Sequence, residues 1–312
     1  MFTSRRWQRL KRRGSPPEAP WVPFRGALVL HPGGCTMAKQ KRILTRYGPW
    51  AVVTGASSGI GKAIAAYLAA EGFDLILVAR RGGHLSALAE QLLAQHKTDV
   101  RIVVADLATH AGVQSVQDAA AGLEIGLLIN NAGREDSGPF LSSSIDAALM
   151  TLDLNARAPL LLSHHFAQDM AKRSRGGIVF LSSIVAFQGV PLIANYAATK
   201  AYDLILSESL AAELEPAGID VLAIAPGFTD TELSPDFEFS GTKFKPMAPE
   251  AVAAAIEAIG RHRLAVPGKG NSLLYHLSKR LMSRKAATRA FGNVFRTVLR
   301  NKLRHPSEED AA

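Results

Sequence analysis

Between residues 50 and 266 the chain alternates short, continuous apolar runs with longer stretches of helical period. The runs fall at 50–54, 74–79, 100–105, 126–130, 177–182 and 219–225. Most lack a polar face, as strands do when a parallel sheet is covered on both sides. Between them, 60–71, 84–96, 109–121, 142–173 and 196–215 repeat apolar residues at spacings of three and four, which predicts helices. This alternation predicts an α/β chain with one doubly wound, mostly parallel sheet of six strands, or seven if 264–266 joins it. Residues 228–247 break the rhythm with Pro235, Gly241 and Pro246. A long irregular segment after the carboxyl end of the last long strand predicts a functional lid. A helix over 249–260 follows it.

The two ends of the chain differ from this body. Residues 1–46 have no steady period, carry several prolines and basic clusters, and predict a disordered extension, with Met37 as a plausible start of the compact protein. Residues 271–304 read as one or two basic amphipathic helices, Leu273, Leu277, Leu281, Phe291 and Phe295 recurring among Arg280, Arg284, Arg289 and Arg296. Such a helix either packs over the site or a second subunit, the reading preferred here, or attaches to an anionic membrane surface. The organisation expected is an extension at 1–46, a catalytic domain at 47–267 and a helical tail at 268–312.

Charge follows the same division. The net charge of +9 suggests a nucleic-acid partner until it is split. Residues 1–46 hold 11 Lys/Arg against one acidic residue, 47–260 hold 13 against 23, and 261–312 hold 12 against three. The body is acidic and the basic ends read as solvated, so no nucleic acid is expected. A chain that is 47% hydrophobic can build one large core. No apolar run reaches the roughly 18 residues of a spanning helix. The single Cys35 excludes an internal disulfide framework and argues for a reducing, cytoplasmic compartment. His164 and His165 are adjacent on a helix and face different directions, so no metal site is expected.

The candidate chemistry lies at strand ends. The first strand meets Gly55, Gly59 and Gly61, and a helix follows at once. Such a turn lets the backbone approach a pyrophosphate, with the helix N-terminus aimed at it. Arg80 and Arg81 follow the second strand, where a basic residue accommodates a 2′-phosphate. Asp106-Leu107, Asn130-Asn131-Ala132-Gly133 and Ser182-Ser183 follow the next three. Tyr196 and Lys200 stand at i and i+4, so the lysine can favour phenolate and tune the tyrosine for proton exchange near neutral pH.

With Asn155, and Pro226-Gly227 followed by Thr229 and Thr231, this set resembles the short-chain dehydrogenases/reductases over roughly residues 48–267. Ser183 precedes Tyr196 by 13 residues, as is usual there. The resemblance implies a Rossmann fold and hydride transfer between a nicotinamide and a ketone or secondary alcohol. It implies Tyr196 as the acid/base, Ser183 as the hydrogen-bond partner of the substrate oxygen, Lys200 on the ribose and Asn155 on a relay water. Gly55, Ser57, Ser58, Gly59, Ile60, Gly61, Asp106, Leu107, Asn131, Ala132, Gly133, Tyr196, Lys200, Pro226, Gly227, Thr229 and Thr231 would line the cofactor. With Arg80 and no acid at the second strand's end, that cofactor is expected to be NADP(H) rather than NAD(H). A homodimer or homotetramer is implied as well. Arg134-Glu135-Asp136, expected to point to solvent, departs from the small or apolar residues of many relatives. The substrate expected is an apolar ketone or 3-oxoacyl compound. A hydroxysteroid, a sugar alcohol, or a non-catalytic NADP sensor or scaffold are the alternatives.

Overall fold

A computed structural model describes residues 42–233, 236–242 and 244–304. The expectations for 1–41, Met37 included, and for 305–312 lie outside them. Seven parallel strands are present: β1 (Trp50–Thr54), β2 (Asp74–Ala79), β3 (Val100–Val104), β4 (Ile125–Asn130), β5 (Gly176–Leu181), β6 (Ile219–Ile224) and β7 (Leu264–Ala265). Their order is β3-β2-β1-β4-β5-β6-β7. The chain therefore reverses its winding between β1 and β4, and the crevice at their carboxyl ends is where ligands bind in such sheets.

The helices are α1 (Arg42–Tyr47), α2 (Gly59–Glu71), α3 (Gly82–His96), α4 (His110–Ala120), α5 (Ile145–Leu152), α6 (Ala158–Lys172) and α7 (Ala194–Glu213), then α8 (Pro249–Ala253), α9 (Lys269–Leu281), α10 (Arg284–Val298) and α11 (Arg300–Arg304). Successive strand side chains alternate between two layers. Val53, Leu77, Ile129 and Val179 pack with α1, α2, α3 and α8, while Val52, Ile76, Leu128 and Ile178 pack with α4, α6 and α7. All eight are fully buried, each burial being worth about 1.5–3 kcal/mol. This two-sided burial explains why the strands read as unbroken apolar runs.

Four expectations need correction. Residues 42–46, placed in the disordered extension, form α1 with Tyr47. Ile43 and Tyr47 are fully buried, Tyr47 donates to Asp220 at 2.8 Å, and Arg42 donates to the Glu257 and Ile259 carbonyls. A six-residue helix is too short to show a period and is held by these tertiary contacts. The helix expected over 142–173 begins at Ile145 and widens into a π-turn over Asp153–Arg157. The one expected over 249–260 tightens into a 3₁₀ turn after Ala253. The tail forms three helices, because Met282 is extended and Ser283 caps α10 through the Ala286 N–H. No described helix is long and apolar enough to cross a membrane.

Candidate active site

The glycine turn is built as its sequence requires. Gly55 and Gly59 have φ of +67° and +52°, a region open to glycine. A Cβ on Gly61 would run into the Gly55 carbonyl and the Asn131 amide. Ser58, at the N-cap of α2, makes no capping bond, so its side chain does not take the helix's first N–H groups. Thr54 Oγ1 accepts from the N–H groups of Asn131 and Ala132, both at 2.9 Å, and Asn131 Nδ2 donates to the Thr54 carbonyl at 2.8 Å. The two loops at the switch point are thus tied into one cradle. Ile60 packs against the core beneath it.

Of the two arginines after β2, the structure brings the second to the turn. Arg81 donates to Ser57 Oγ at 3.1 Å, to Ser58 Oγ at 2.7 Å and to Glu232 at 2.7 Å. Arg80 is exposed and has no side-chain bond among the described residues. The difference is one of direction: Arg81, at the N-cap of α3, turns back over the glycine loop. Asp106 spends its carboxylate on the Ala108 N–H of its own turn, and Leu107 is buried in the core. Thr231 lies against Gly59, Thr229 donates to the Gly227 carbonyl, and the Pro226 carbonyl accepts from Ile184. A side chain on Gly227 would overlap Asn271 of α9.

Asn155, Ser183, Tyr196 and Lys200 converge beside this cradle. Asn155 lies in the π-turn and is fully buried. Its Oδ1 accepts from the Arg134 N–H at 2.9 Å, and its Nδ2 donates to the Arg134 carbonyl at 2.8 Å and to Thr199 Oγ1 at 3.1 Å. Ser183 opens a 3₁₀ turn at the end of β5, where its Oγ accepts from the Val185 N–H at 3.3 Å and lies near enough to the Tyr196 phenol to favour its ionised form. Lys200, one turn along α7, donates to the Leu181 carbonyl at 2.8 Å and to Asp203 at 3.1 Å. A Cβ on Gly133 would stand 3.4 Å from Asn155 Oδ1 and 3.7 Å from Lys200 Nζ.

The electrostatics differ from the expectation that Lys200 simply favours phenolate. Burial, joined by the Glu135 and Asp203 carboxylates, pushes the Tyr196 phenol up, against the Ser183 hydroxyl. Burial likewise pushes the Asp203 carboxyl up to about 6, although Lys200 pulls it down. The lysine's charge is largely met by this buried neighbour.

Residues 134–136 do not point to solvent; all three are half-buried. Asp136 accepts from Asn195 Nδ2 at 2.8 Å, so it ties the first turn of α7 to a distant loop. Beyond Tyr196 the site is walled by aromatic rings. Phe228 packs edgewise on Phe239 at 5.0 Å and Phe237 at 5.7 Å, and is 5.7 Å from Phe295 of α10. The Glu238 N–H donates to the Val298 carbonyl at 2.8 Å, and Arg300 grips Glu238 through two nitrogens. Lys302 pairs with Asp236 at 2.9 Å. The tail's apolar face therefore packs over the site, while Leu273, Leu277 and Leu281 of α9 stay exposed.

The sequence reading favoured Arg80 over its neighbour Arg81, placed Asp136 toward solvent and left Asp203 unmarked. Asp203 carried a legible signal, since it falls on the stripe Ala197, Lys200, Leu204 and Ser207 that α7 buries, where an acid demands a partner. Asp136 carried none, because its partner lies 59 residues away.

The short chain dehydrogenase profile matches residues 49–238. The chain is 35% identical over 242 residues to a very-long-chain 3-oxoacyl-CoA reductase-like protein of Arabidopsis thaliana, covering 75% of this chain and 77% of that one. It is 31% identical over 211 residues to a 7β-hydroxysteroid dehydrogenase of Clostridium sardiniense, covering 68% and 78%. Among solved structures, a short-chain dehydrogenase from Sphingobium yanoikuyae in complex with NADPH superposes with a TM-score of 0.67 at 31% identity, over 76% of this chain and 97% of that one. A glycine cradle at the switch point, a tyrosine–lysine helix beside it and a family match over most of the sheet agree, and the chain belongs to the short-chain dehydrogenase family.

Proposed function

We propose that the protein is an NADP(H)-dependent reductase of an apolar ketone or 3-oxoacyl compound. One observation carries the substrate reading: Tyr196 stands at the edge of a cluster of phenylalanines from the lid and α10. An apolar acyl chain or ring gains by leaving water against such a cluster, whereas a sugar alcohol would leave its hydroxyls unpaired. The 3-oxoacyl-CoA reductase-like relative supports the first substrate and the hydroxysteroid dehydrogenase relative a second, equally apolar one.

The cradle fits a dinucleotide. Positions 55, 59, 61 and 227 leave no room for a side chain, and Arg81 offers a planar cation beside Ser57 and Ser58 for a 2′-phosphate. The NADPH complex of the Sphingobium relative supports that choice. The nicotinamide supplies the hydride chemistry when bound. Tyr196 gives its proton to the carbonyl oxygen, Ser183 holds that oxygen, Lys200 reaches the ribose with its remaining N–H, and Asn155 keeps the 134 backbone in place. NADPH oxidation over ketones of graded chain length tests the reading: rates should rise with chain length and vanish in Tyr196→Phe with NADPH binding retained. More than a few per cent residual turnover in that variant would remove Tyr196 from its role. Self-association as a homodimer or homotetramer belongs to the same proposal, supported by exposed Leu149 and Met150 on α5 beside Tyr202 and Ile205 on α7. A monomeric mass in sedimentation equilibrium would refute it.

A further inference from the structure

Asp203 lies on α7 three residues after Lys200 and seven after Tyr196, and is 2% exposed. Its Oδ2 stands 3.1 Å from Lys200 Nζ, and its Oδ1 has no hydrogen-bond partner among the described residues. The lysine's other bond runs to the Leu181 carbonyl. Two of the three donors of the ammonium are therefore committed inside the chain. A buried acid with an unmet oxygen is costly to keep.

The charges around Tyr196 show what it does. On α7 itself stand Lys200 and Asp203. From the loop after β4 come Glu135, then Asp136 at the helix start with Arg134 beside it. Among the described residues, the end of β5 contributes the Ser183 hydroxyl, and Tyr196 packs against the apolar cluster that holds Phe228 of the lid and Phe291 and Phe295 of α10. With Asp203 ionised, the Lys200–Asp203 pair is neutral as a unit, and the Glu135 carboxylate adds negative charge near the phenol. In such a buried place charges are weakly screened by salt.

We propose that Asp203 is a positioning residue for proton transfer: it takes one hydrogen bond and the charge of Lys200, so that Tyr196 remains a proton donor and carbonyl reduction extends into the alkaline range. The upward shift of the phenol agrees with this. The sign follows directly. Removing the Asp203 charge leaves Lys200 uncompensated, favours phenolate and brings the alkaline loss of reduction to lower pH. The inference rests on Tyr196 being the acid of the proposed reaction.

The test uses Asp203→Asn in the full chain. Ultraviolet absorbance of phenolate, taken as the difference from the matched protein carrying Tyr196→Phe, isolates Tyr196 from the other tyrosines. The Asn variant should titrate lower than the parent by about one pH unit or more, and its NADPH-oxidation profile should lose its alkaline side by the same interval. Coincident titration curves throughout the range in which both proteins stay folded would overturn the proposal. Should Asp203→Asn not fold, Asp203→Ser, which leaves space for a water at Lys200, carries the same expectation. The titration needs neither substrate nor cofactor. A shifted titration with persistent turnover in Tyr196→Phe would sink the functional reading and leave the control of the phenol by Asp203 standing.

Discussion

At the scale of single residues, side-chain direction separates neighbours that the sequence treats alike. Arg80 and Arg81 are equally basic and both follow β2, but only Arg81 reaches the serines of the glycine turn. Charge-assisted bonds of this kind are worth about 1.5–3 kcal/mol. Arg81→Ala should therefore raise KM for NADPH by roughly tenfold or more, leave KM for NADH nearly unchanged, and exceed the effect of Arg80→Ala. If Arg80→Ala removed the cofactor preference and Arg81→Ala did not, the phosphate would lie on the other arginine. Tyr196, Ser183, Lys200 and Asn155 were legible because their spacing along the chain matches a known pattern. Asp136 was not, because an acid that reaches Asn195 from another loop leaves no mark near the helix that it holds.

At the scale of elements, the stretch from 145 to 172 shows how one proline shapes a site. Pro159 has no N–H for the Asn155 carbonyl, and its ring crowds the preceding turn. The helix answers by widening over Asp153–Arg157, with the Ala158 N–H bonding the Asp153 carbonyl; π-turns of this kind recur at functional sites. The Asn155 side chain is fully engaged with Arg134 and Thr199, so in the proposed reaction a relay water would have to be held by its backbone carbonyl. Pro159→Ala should slow turnover several-fold while NADPH affinity stays and the fold becomes no less stable. A wild-type rate across the pH range would detach the proline from proton transfer. Apolar period marked a helix here, but period alone does not report an added residue in a turn.

At the scale of the whole molecule, the ends of the chain close what the sheet begins. The tail lays Phe291 and Phe295 against the lid and locks there through Arg300 with Glu238 and Lys302 with Asp236. At the other end α1 closes the amino-terminal side of the sheet through Ile43, Tyr47 and the Arg46–Asp220 pair. Deleting residues 1–36 should leave melting temperature and activity unchanged, since Ile43 and Tyr47, the side chains that α1 buries, stay in the chain. Deleting through Tyr47 removes two fully buried side chains and should cost several kcal/mol, roughly 10 °C in melting temperature. Equal melting of the two truncations would show that α1 is dispensable.

The sequence by itself determined the strand and helix alternation, the sheet's winding, the cradle glycines and the tyrosine–lysine pair. These are properties of local period, backbone freedom and fixed spacing, and each is written within about one element's length. The tertiary structure alone decided which arginine meets the glycine turn, that residues 42–47 belong to the core, that the tail packs against the lid, and that Asp203 pairs with Lys200. Each of these is a contact whose energy depends on direction and burial: whether a charge finds a partner out of water is set by what the fold brings opposite to it.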